Sequence, residues 1–446
     1  MHNSRREFIR KSGLSAAALT IGGVLPGFSA KSYKKIIGSN ERIRIAVMGV
    51  NSRGTAHALS FSKFPNVEVA YLCDVEDGAI KKALDALKKI NTNPAIKKDI
   101  RKLVAQTDFD AISVAAPDHW HAPAALLALA HGKHVYVEKP CSHNPSESEL
   151  LIEAQKKYNK ILQVGSQRRS FPTLIEAVEE VRGGIIGNAY YAKAWYTNDR
   201  KSIGTGKKIP VPPTLDFDLW QGPAPRKNYQ DNLVHYNWHW FWNWGTGECC
   251  NNGNHEIDCC RWFLGVDFPT KVTSSGGRYA FKDDWQTPDT QIASFEFGKD
   301  KLISWEGRSC NKFTMDNYDR GFIIYGDKGT LLNDGGGAYK IFDSDNKLVK
   351  EISSAVKADA SNIVSSTGDL DLHHFENFLE SIRGNAQPSA PIIEGHKSVV
   401  LCHLANISQR TGAALHCNPV NGHIVDNAAA AGLWKREYEK GWEMKL

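Results

Sequence analysis

Gly49-Val50-Asn51-Ser52-Arg53-Gly54 is the first segment whose residue types and spacing imply chemistry. It follows Arg42–Met48, which reads as a buried strand, and precedes Thr55–Phe64, which reads as a helix stopped by Pro65. Strand, glycine-rich turn and helix in that order make a dinucleotide cradle. Gly49 permits the tight turn, Gly54 lets the helix approach the strand, and a pyrophosphate sits on the N–H groups at the helix start. Asn51 replaces the central glycine of the pattern, and Asn tolerates unusual turn dihedrals. The next strand, Val67–Cys73, ends in Asp74, twenty residues after Gly54. A carboxylate there accepts hydrogen bonds from a ribose diol and repels a 2′-phosphate, which favours NAD(H) over NADP(H). Asp74 reads alternatively as the N-cap of a helix beginning at Glu76.

The elements that must position this turn continue the alternation. Strands are expected over Asp110–Ala115, His134–Glu138 and Lys160–Val164, and helices over Ala122–His131 and Ser146–Tyr158. Strands alternating with helices imply an α/β fold with a doubly wound parallel sheet, a Rossmann domain over residues 41–165. The remainder, 166–446, is expected to form a second α/β domain for substrate binding and oligomerisation.

Two segments go beyond a generic nucleotide fold. Ala116-Pro117-Asp118-His119-Trp120-His121 follows one expected strand, and Glu138-Lys139-Pro140 ends the next. With the glycine turn they resemble the Gfo/Idh/MocA oxidoreductases, whose Glu-Lys-Pro segment supplies an active-site lysine. The resemblance runs from about Glu41 to the C-terminus. It implies a mostly antiparallel second domain covering the nicotinamide, whose first helix carries a histidine flanked by acidic residues. The matching segment here is Asn251-Asn252-Gly253-Asn254-His255-Glu256-Ile257-Asp258, with Asn251 in place of an acid. His255 and Asp258 lie at i and i+3, on one helix face.

The chemistry of the residue types agrees. Moving a hydride off a carbinol carbon requires the hydroxyl proton to leave too, and histidine, with an unperturbed pKa of about 6.5, serves best. A lysine ammonium stabilises the developing alkoxide and depresses its neighbour's pKa. The expected roles are therefore His255 as general base and Lys139 as electrostatic partner, with Asn251 and Asp258 orienting the pair. Pro117, His121, Glu138 and Gln167 are expected around the cofactor. His121 reads equally as a nicotinamide contact or a helix cap, and Arg168 is a candidate substrate contact.

In the second half, Trp238-His239-Trp240-Phe241-Trp242-Asn243-Trp244 would, if extended, present four tryptophans on one face. Such a face stacks against pyranose rings or serves as a hydrophobic wall. Trp238, His239, Trp240 and Trp242 are the substrate-side candidates, and Glu248 is near enough to reach the pocket. Strands are expected at Thr290–Phe297, Lys301–Arg308 and Gly321–Gly326, with closing helices at Asp369–Arg383 and Glu394–Arg410.

Composition narrows the classes. Of the 446 residues 41% are hydrophobic and 23% charged, a globular profile. Half of the net charge of +6 sits in residues 1–30, and no arginine-rich stripe follows, which argues against nucleic acid. The nine cysteines show no CxxC spacing for zinc, so no metal is expected. Ser4-Arg5-Arg6-Glu7-Phe8-Ile9-Arg10 fits a twin-arginine export signal over residues 1–30, followed by a linker over 31–40. The apolar run from Leu14 to Phe28 would span roughly 22 Å as a helix, short of the ~30 Å hydrocarbon core, so no stable membrane span is expected.

These readings converge on an exported, NAD-dependent oxidoreductase acting on a hydroxyl of a sugar or cyclitol. The first alternative is an NAD-dependent glycoside hydrolase working through a transient 3-keto sugar, outside the two-carboxylate scheme. The second, a non-catalytic dinucleotide-binding protein, conflicts with an intact His255 and Lys139. A homo-oligomer is implied by the resemblance alone.

Overall fold

Six short apolar segments, each followed by a turn and a helix, assemble the first layer of the computed structural model, which describes residues 42–353 and 369–446. The expected export signal and linker lie outside the described residues. The first half runs β1 (Ile43–Met48), α1 (Arg53–Phe61), β2 (Val67–Cys73), α2 (Asp77–Lys88), β3 (Ala95–Lys97), α3 (Ile100–Val104), β4 (Ala111–Val114), α4 (Asp118–Ala130), β5 (His134–Val137), α5 (Pro145–Tyr158) and β6 (Leu162–Val164). The strands pair in parallel in the order β3-β2-β1-β4-β5-β6. The order reverses between β1 and β4, which opens a crevice at their carboxyl ends. β1 lies at the centre and its residues are nearly all buried, as a strand covered on both faces must be.

The α4 helix begins at Asp118, four residues before its expected start, so Asp118 to His121 form its first turn. Pro123 falls inside this helix, where it cannot donate to the His119 carbonyl. That carbonyl is taken instead by Arg436 Nη2 at 2.8 Å, from the C-terminal segment.

The second half runs α6 (Pro172–Arg182), β7 (Ala189–Thr197), α7 (Phe217–Gln221), α8 (Asn254–Leu264), β8 (Lys271–Gly277), β9 (Thr290–Phe297), β10 (Lys301–Arg308), β11 (Arg320–Gly326), β12 (Gly329–Asn333), β13 (Tyr339–Asp343), β14 (Leu348–Ile352), α9 (Asp369–Arg383), α10 (Ile392–Thr411), β15 (Leu415–His416) and α11 (Ala428–Ala431). Its nine strands form a mixed, mostly antiparallel sheet in the order β14-β13-β12-β11-β7-β10-β9-β8-β15. Among them only β7 and β10 run parallel.

The two halves share their cores. Phe375, Phe378 and Leu379 of α9 are buried with Phe61, Tyr136, Ile45 and Val47 beneath the parallel sheet. Each such side chain contributes about 1.5–3 kcal/mol by leaving water. The α10 helix faces both layers: Ile392 and Val399 join the core of the parallel sheet, and Val400, Leu401 and Leu404 that of the second.

Candidate active site

Gly49 carries φ +82°, and a Cβ there would lie 2.5 Å from Ala116 Cα. A Cβ on Gly54 would collide with the Gly49 carbonyl. Both glycines are therefore backbone requirements of the turn. Asn51 is not among the positive-φ residues, so the dihedral tolerance expected of it is not needed. Ser52 offers no side-chain cap to α1, and the N–H groups of a helix's first turn lack intrahelical acceptors, a setting that suits an anion.

Asp74 closes the adjoining side. Its carboxylate accepts from Val50 N at 2.7 Å, Val75 N at 2.8 Å and Glu76 N at 3.1 Å. Burial pushes its pKa up against these donors. The cap of α2 is Glu76, which accepts from Ala79 N, so the capping alternative for Asp74 falls to its neighbour. Asp74 thus stands at the turn, bonded to Val50 N within it.

Arg53 does not face a phosphate. Its guanidinium forks onto Asp371 of α9 at 2.6 and 2.7 Å, and Nε donates to Glu138 Oε1 at 2.9 Å. Glu138 also meets His57 Nε2 at 3.0 Å and accepts from Gln167 Nε2 at 3.3 Å. Burial opposes its charge, and Arg53 and His57 outweigh burial to hold the carboxyl well below the usual range. Glu138 and Gln167 therefore spend their polar groups on the protein, fixing the base from which Lys139 projects.

Lys139 reaches across to the second layer. Its Nζ donates to the Asn251 carbonyl at 2.8 Å and to Asn251 Oδ1 at 3.2 Å. Burial lowers its pKa, partly offset by Glu138 and Asp118. Asn251 sits in a π-helical turn, Cys249–Gly253, that runs into α8. Such turns favour functional sites, and nothing in Cys-Cys-Asn-Asn-Gly announces one. Gly253 is required there, because a Cβ would meet the Trp305 ring at 2.8 Å.

His255 follows one turn later, 9% exposed. Burial, then Lys139, Arg168 and Arg320, hold its pKa well below the ordinary value, so the ring is neutral. The Lys139 ammonium thus lies near enough to bear on the His255 ring electrostatically. Asp258 is not brought to them. Its carboxylate takes Arg169 Nε and Nη2, both at 2.8 Å, and Ser398 Oγ at 2.5 Å. Arg168 donates through Nη2 to Glu256 Oε1 at 2.8 Å, beside Arg320, which donates to the same oxygen at 2.8 Å.

His121 is buried, with Nδ1 2.6 Å from Pro140 O and Nε2 2.7 Å from Ala116 O. It ties the strand end at Ala116, next to Pro117, to the Lys139 segment. Neither a cap nor an open ring face, it is a strut.

The tryptophan stretch is not extended. Asn237–Trp240 is a 3-10 turn, so the alternation of faces does not hold. Trp240 is buried and stacked on Trp285 with centroids 3.9 Å apart, and Trp244 is buried in a cluster with Trp220 and Leu233. These two form a wall. Trp238 stacks on His239 at 3.6 Å, and Trp242 lies under Arg410 at 4.7 Å, both partly exposed.

Sequence reasoning missed a polar network beside Asn251. Arg200 donates through Nε to Glu248 Oε2 at 2.7 Å and through Nη1 to the Tyr236 hydroxyl at 2.6 Å. Asn251 Nδ2 donates to Glu248 Oε1 at 3.3 Å, and its side chain also meets the Tyr236 hydroxyl. Only Glu248 carried a signal, its closeness to Asn251 in sequence. Among the described residues no cluster of three or more His, Cys, Asp or Glu side chains could hold a metal ion, and no helix is long and apolar enough to cross a membrane.

The model described as the oxidoreductase family NAD-binding Rossmann fold matches residues 43–166, and that of the oxidoreductase family C-terminal alpha/beta domain matches 212–416. An α-N-acetylgalactosaminidase of Tannerella forsythia is 25% identical over 370 residues, 76% of this chain and 78% of that protein. A glycosyl hydrolase family 109 protein of Shewanella sp. strain ANA-3 is 26% identical over 216 residues, and the chain spans about half, 47%, of its length. Among solved structures, a levoglucosan dehydrogenase in complex with NADH superposes with TM-score 0.65 at 17% identity, covering 84% of this chain and 99% of that one. The WlbA dehydrogenase from Bordetella pertussis, in complex with NADH and UDP-GlcNAcA, gives 0.63 at 18% identity over the same shares. At these identities the likeness to solved structures is one of fold.

Proposed function

The chain belongs to the Gfo/Idh/MocA oxidoreductase family, and from that premise we propose that it is an NAD-dependent enzyme oxidising a hydroxyl-bearing carbon of a sugar or cyclitol. The observation that carries this reading is the contact of Lys139 with Asn251, one helical turn from His255 and beside the glycine turn's crevice. The residues fit the cofactor: a turn that tolerates no Cβ at Gly49, an uncapped helix start, and Asp74 at the ribose position. Bound there, NAD supplies hydride acceptance and return.

The chain's own residues handle the proton and the charge. His255, held neutral by burial and three cations, has a lone pair ready for the hydroxyl proton. Lys139, fixed by Asn251, lays its ammonium against the oxygen as negative charge grows. Asn251 anchors the ammonium, and Glu138 anchors the segment behind it. Trp240 and Trp244 exclude water from the pocket wall.

Two further observations favour retention of the cofactor and a glycosidase outcome. The twin-arginine pattern at Ser4–Arg10 supports export of the folded protein, and NAD released outside the cytoplasm would not be recycled. Relatives bear the names α-N-acetylgalactosaminidase and glycosyl hydrolase family 109. A hydride that leaves a sugar carbon and returns within one turnover leaves no net redox change, and the carbonyl in between acidifies the neighbouring C–H and releases the aglycone.

Purified protein screened against free sugars and aryl glycosides tests both readings. Bound NAD that is reduced by a sugar, or an aryl aglycone released without net NADH, supports the proposal. Protein that carries no dinucleotide and binds none overturns it.

A further inference from the structure

An enzyme that oxidises a sugar and then eliminates its aglycone must remove two protons, one from the hydroxyl and one from the adjacent carbon. One imidazole lone pair holds one proton, and the Lys139 ammonium is already charged. A base besides His255 lets the second proton leave without first discharging the imidazolium, and the aromatic turn contains one.

We propose that His239 is that base, taking through Nε2 the proton of a sugar C–H next to a carbonyl. This rests on the oxidation reading above. His239 Nδ1 lies 2.5 Å from the Tyr236 carbonyl oxygen. A carbonyl only accepts, so Nδ1 carries the hydrogen and the lone pair is placed on Nε2. Among the described residues no hydrogen bond engages Nε2. The ring is held in plane by Trp238, stacked 3.6 Å away at 19°. The backbone is pinned from below: Gly245 approaches so closely that a Cβ there would meet His239 Cα at 2.5 Å. Tyr236 itself is held at φ +75°, a strained conformation for a tyrosine, which aims its carbonyl at the ring. A merely apolar wall needs neither a fixed tautomer nor this strain.

The turn also lies at the right place. The Tyr236 ring sits 4.5 Å from His239, and its hydroxyl meets the Asn251 side chain, which holds Lys139. Burial, with Arg200 and Lys139 nearby, keeps the His239 ring neutral and its lone pair open. In the step, the C–H bond breaks and its electron pair becomes the enolate π bond, leaving negative charge on the carbonyl oxygen near Lys139. The proton goes to Nε2, and nothing is oxidised or reduced.

The test uses the holoenzyme in D2O with whichever sugar reduces its bound NAD in the screen above. Two rates are read: cofactor reduction by absorbance, and deuterium entry at the carbon beside the oxidised one by NMR. The His239→Asn variant keeps the Nδ1-type donor and lacks the basic nitrogen. Expected is a fall of about 100-fold in the ratio of exchange to reduction, while His255→Asn lowers reduction itself. Should Asn not be tolerated, His239→Ala with added imidazole is expected to recover exchange. Exchange that persists in both variants, a loss of both rates in equal proportion, or wild-type reduction without exchange overturns the proposal and leaves the oxidation reading intact. If no sugar reduces the cofactor, the oxidation reading itself fails, and this inference with it.

Discussion

Arg53, inside the dinucleotide turn, forks onto both oxygens of Asp371 at 2.6 and 2.7 Å, a contact between residues 318 positions apart. The pair clamps the glycine turn to α9, whose phenylalanines complete the core beneath it. Burial opposes the Asp371 charge and Arg53 outweighs it, so its pKa is lowered, and the pair's stabilisation is lost as acid protonates the carboxylate. Asp371→Asn should cost about 2 kcal/mol, because the guanidinium keeps only Glu138. It should also loosen NAD retention. A thermal melt and dinucleotide content after gel filtration check both, and a variant with unaltered values would show the clamp to be idle.

Acid should destabilise the protein well before its carboxylates titrate. His374 and His396 are buried, and burial drives each pKa down to about 4. In the unfolded chain both titrate near 6.5, so below that pH the unfolded state binds more protons and folding stability falls with pH. The loss runs from about pH 6.5 down to the folded values and amounts to a few kcal/mol for the two together. Calorimetric melts at pH 7, 6 and 5 should decline steadily, and His374→Asn should flatten the slope by about one proton. A flat profile over that window would contradict the burial argument.

The pH–rate profile should have an alkaline limb earlier than a free lysine gives. Burial lowers the Lys139 pKa from its ordinary ~10.4, and the oxygen it stabilises needs the ammonium form. Lys139→Arg, whose charge does not titrate in this range, should abolish that limb while reducing kcat by about 100-fold through lost geometry. A variant that retains the wild-type limb would assign it to another group.

What was legible in the sequence followed from backbone demands and local spacing. Gly49 and Gly54 sit where no side chain fits, and the strand–turn–helix order around them needs no distant partner to be read. Lys139 and His255 were legible as segments, each carrying its own neighbours. Asp258 was misread because i, i+3 spacing says which face a side chain shares and not which cation arrives there, and Arg169 comes from another turn. The tryptophans misled for a related reason. Alternation predicts faces only in an extended chain, and the Gly245–His239 approach curls this one into a 3-10 turn. Arg200, Tyr236 and Glu248 meet only in three dimensions, the first from a Pro- and Gly-rich stretch without periodicity.

Arg436 serves two partners, one of which it meets through a defect elsewhere. Pro123 removes the donor that the His119 carbonyl would have used, and Arg436 Nη2 supplies one, while its Nε holds Glu147 Oε1 at 2.8 Å. Tyr438 donates to the same Glu147 oxygen, and Trp442 packs edge-on against Trp120 at 5.1 Å. The C-terminal segment thus splints the first turn of α4, which carries the His121 strut to the Lys139 segment. Arg436→Met should cost about 3 kcal/mol, since it leaves the buried Glu147 carboxylate without its cation and orphans a buried carbonyl. Replacing Pro123 by Ala in that background should recover about 1 kcal/mol by returning the helical donor. A double-mutant cycle on urea midpoints measures the coupling. Strict additivity of the two substitutions would mean that Arg436 and Pro123 act independently and that the splint has some other origin.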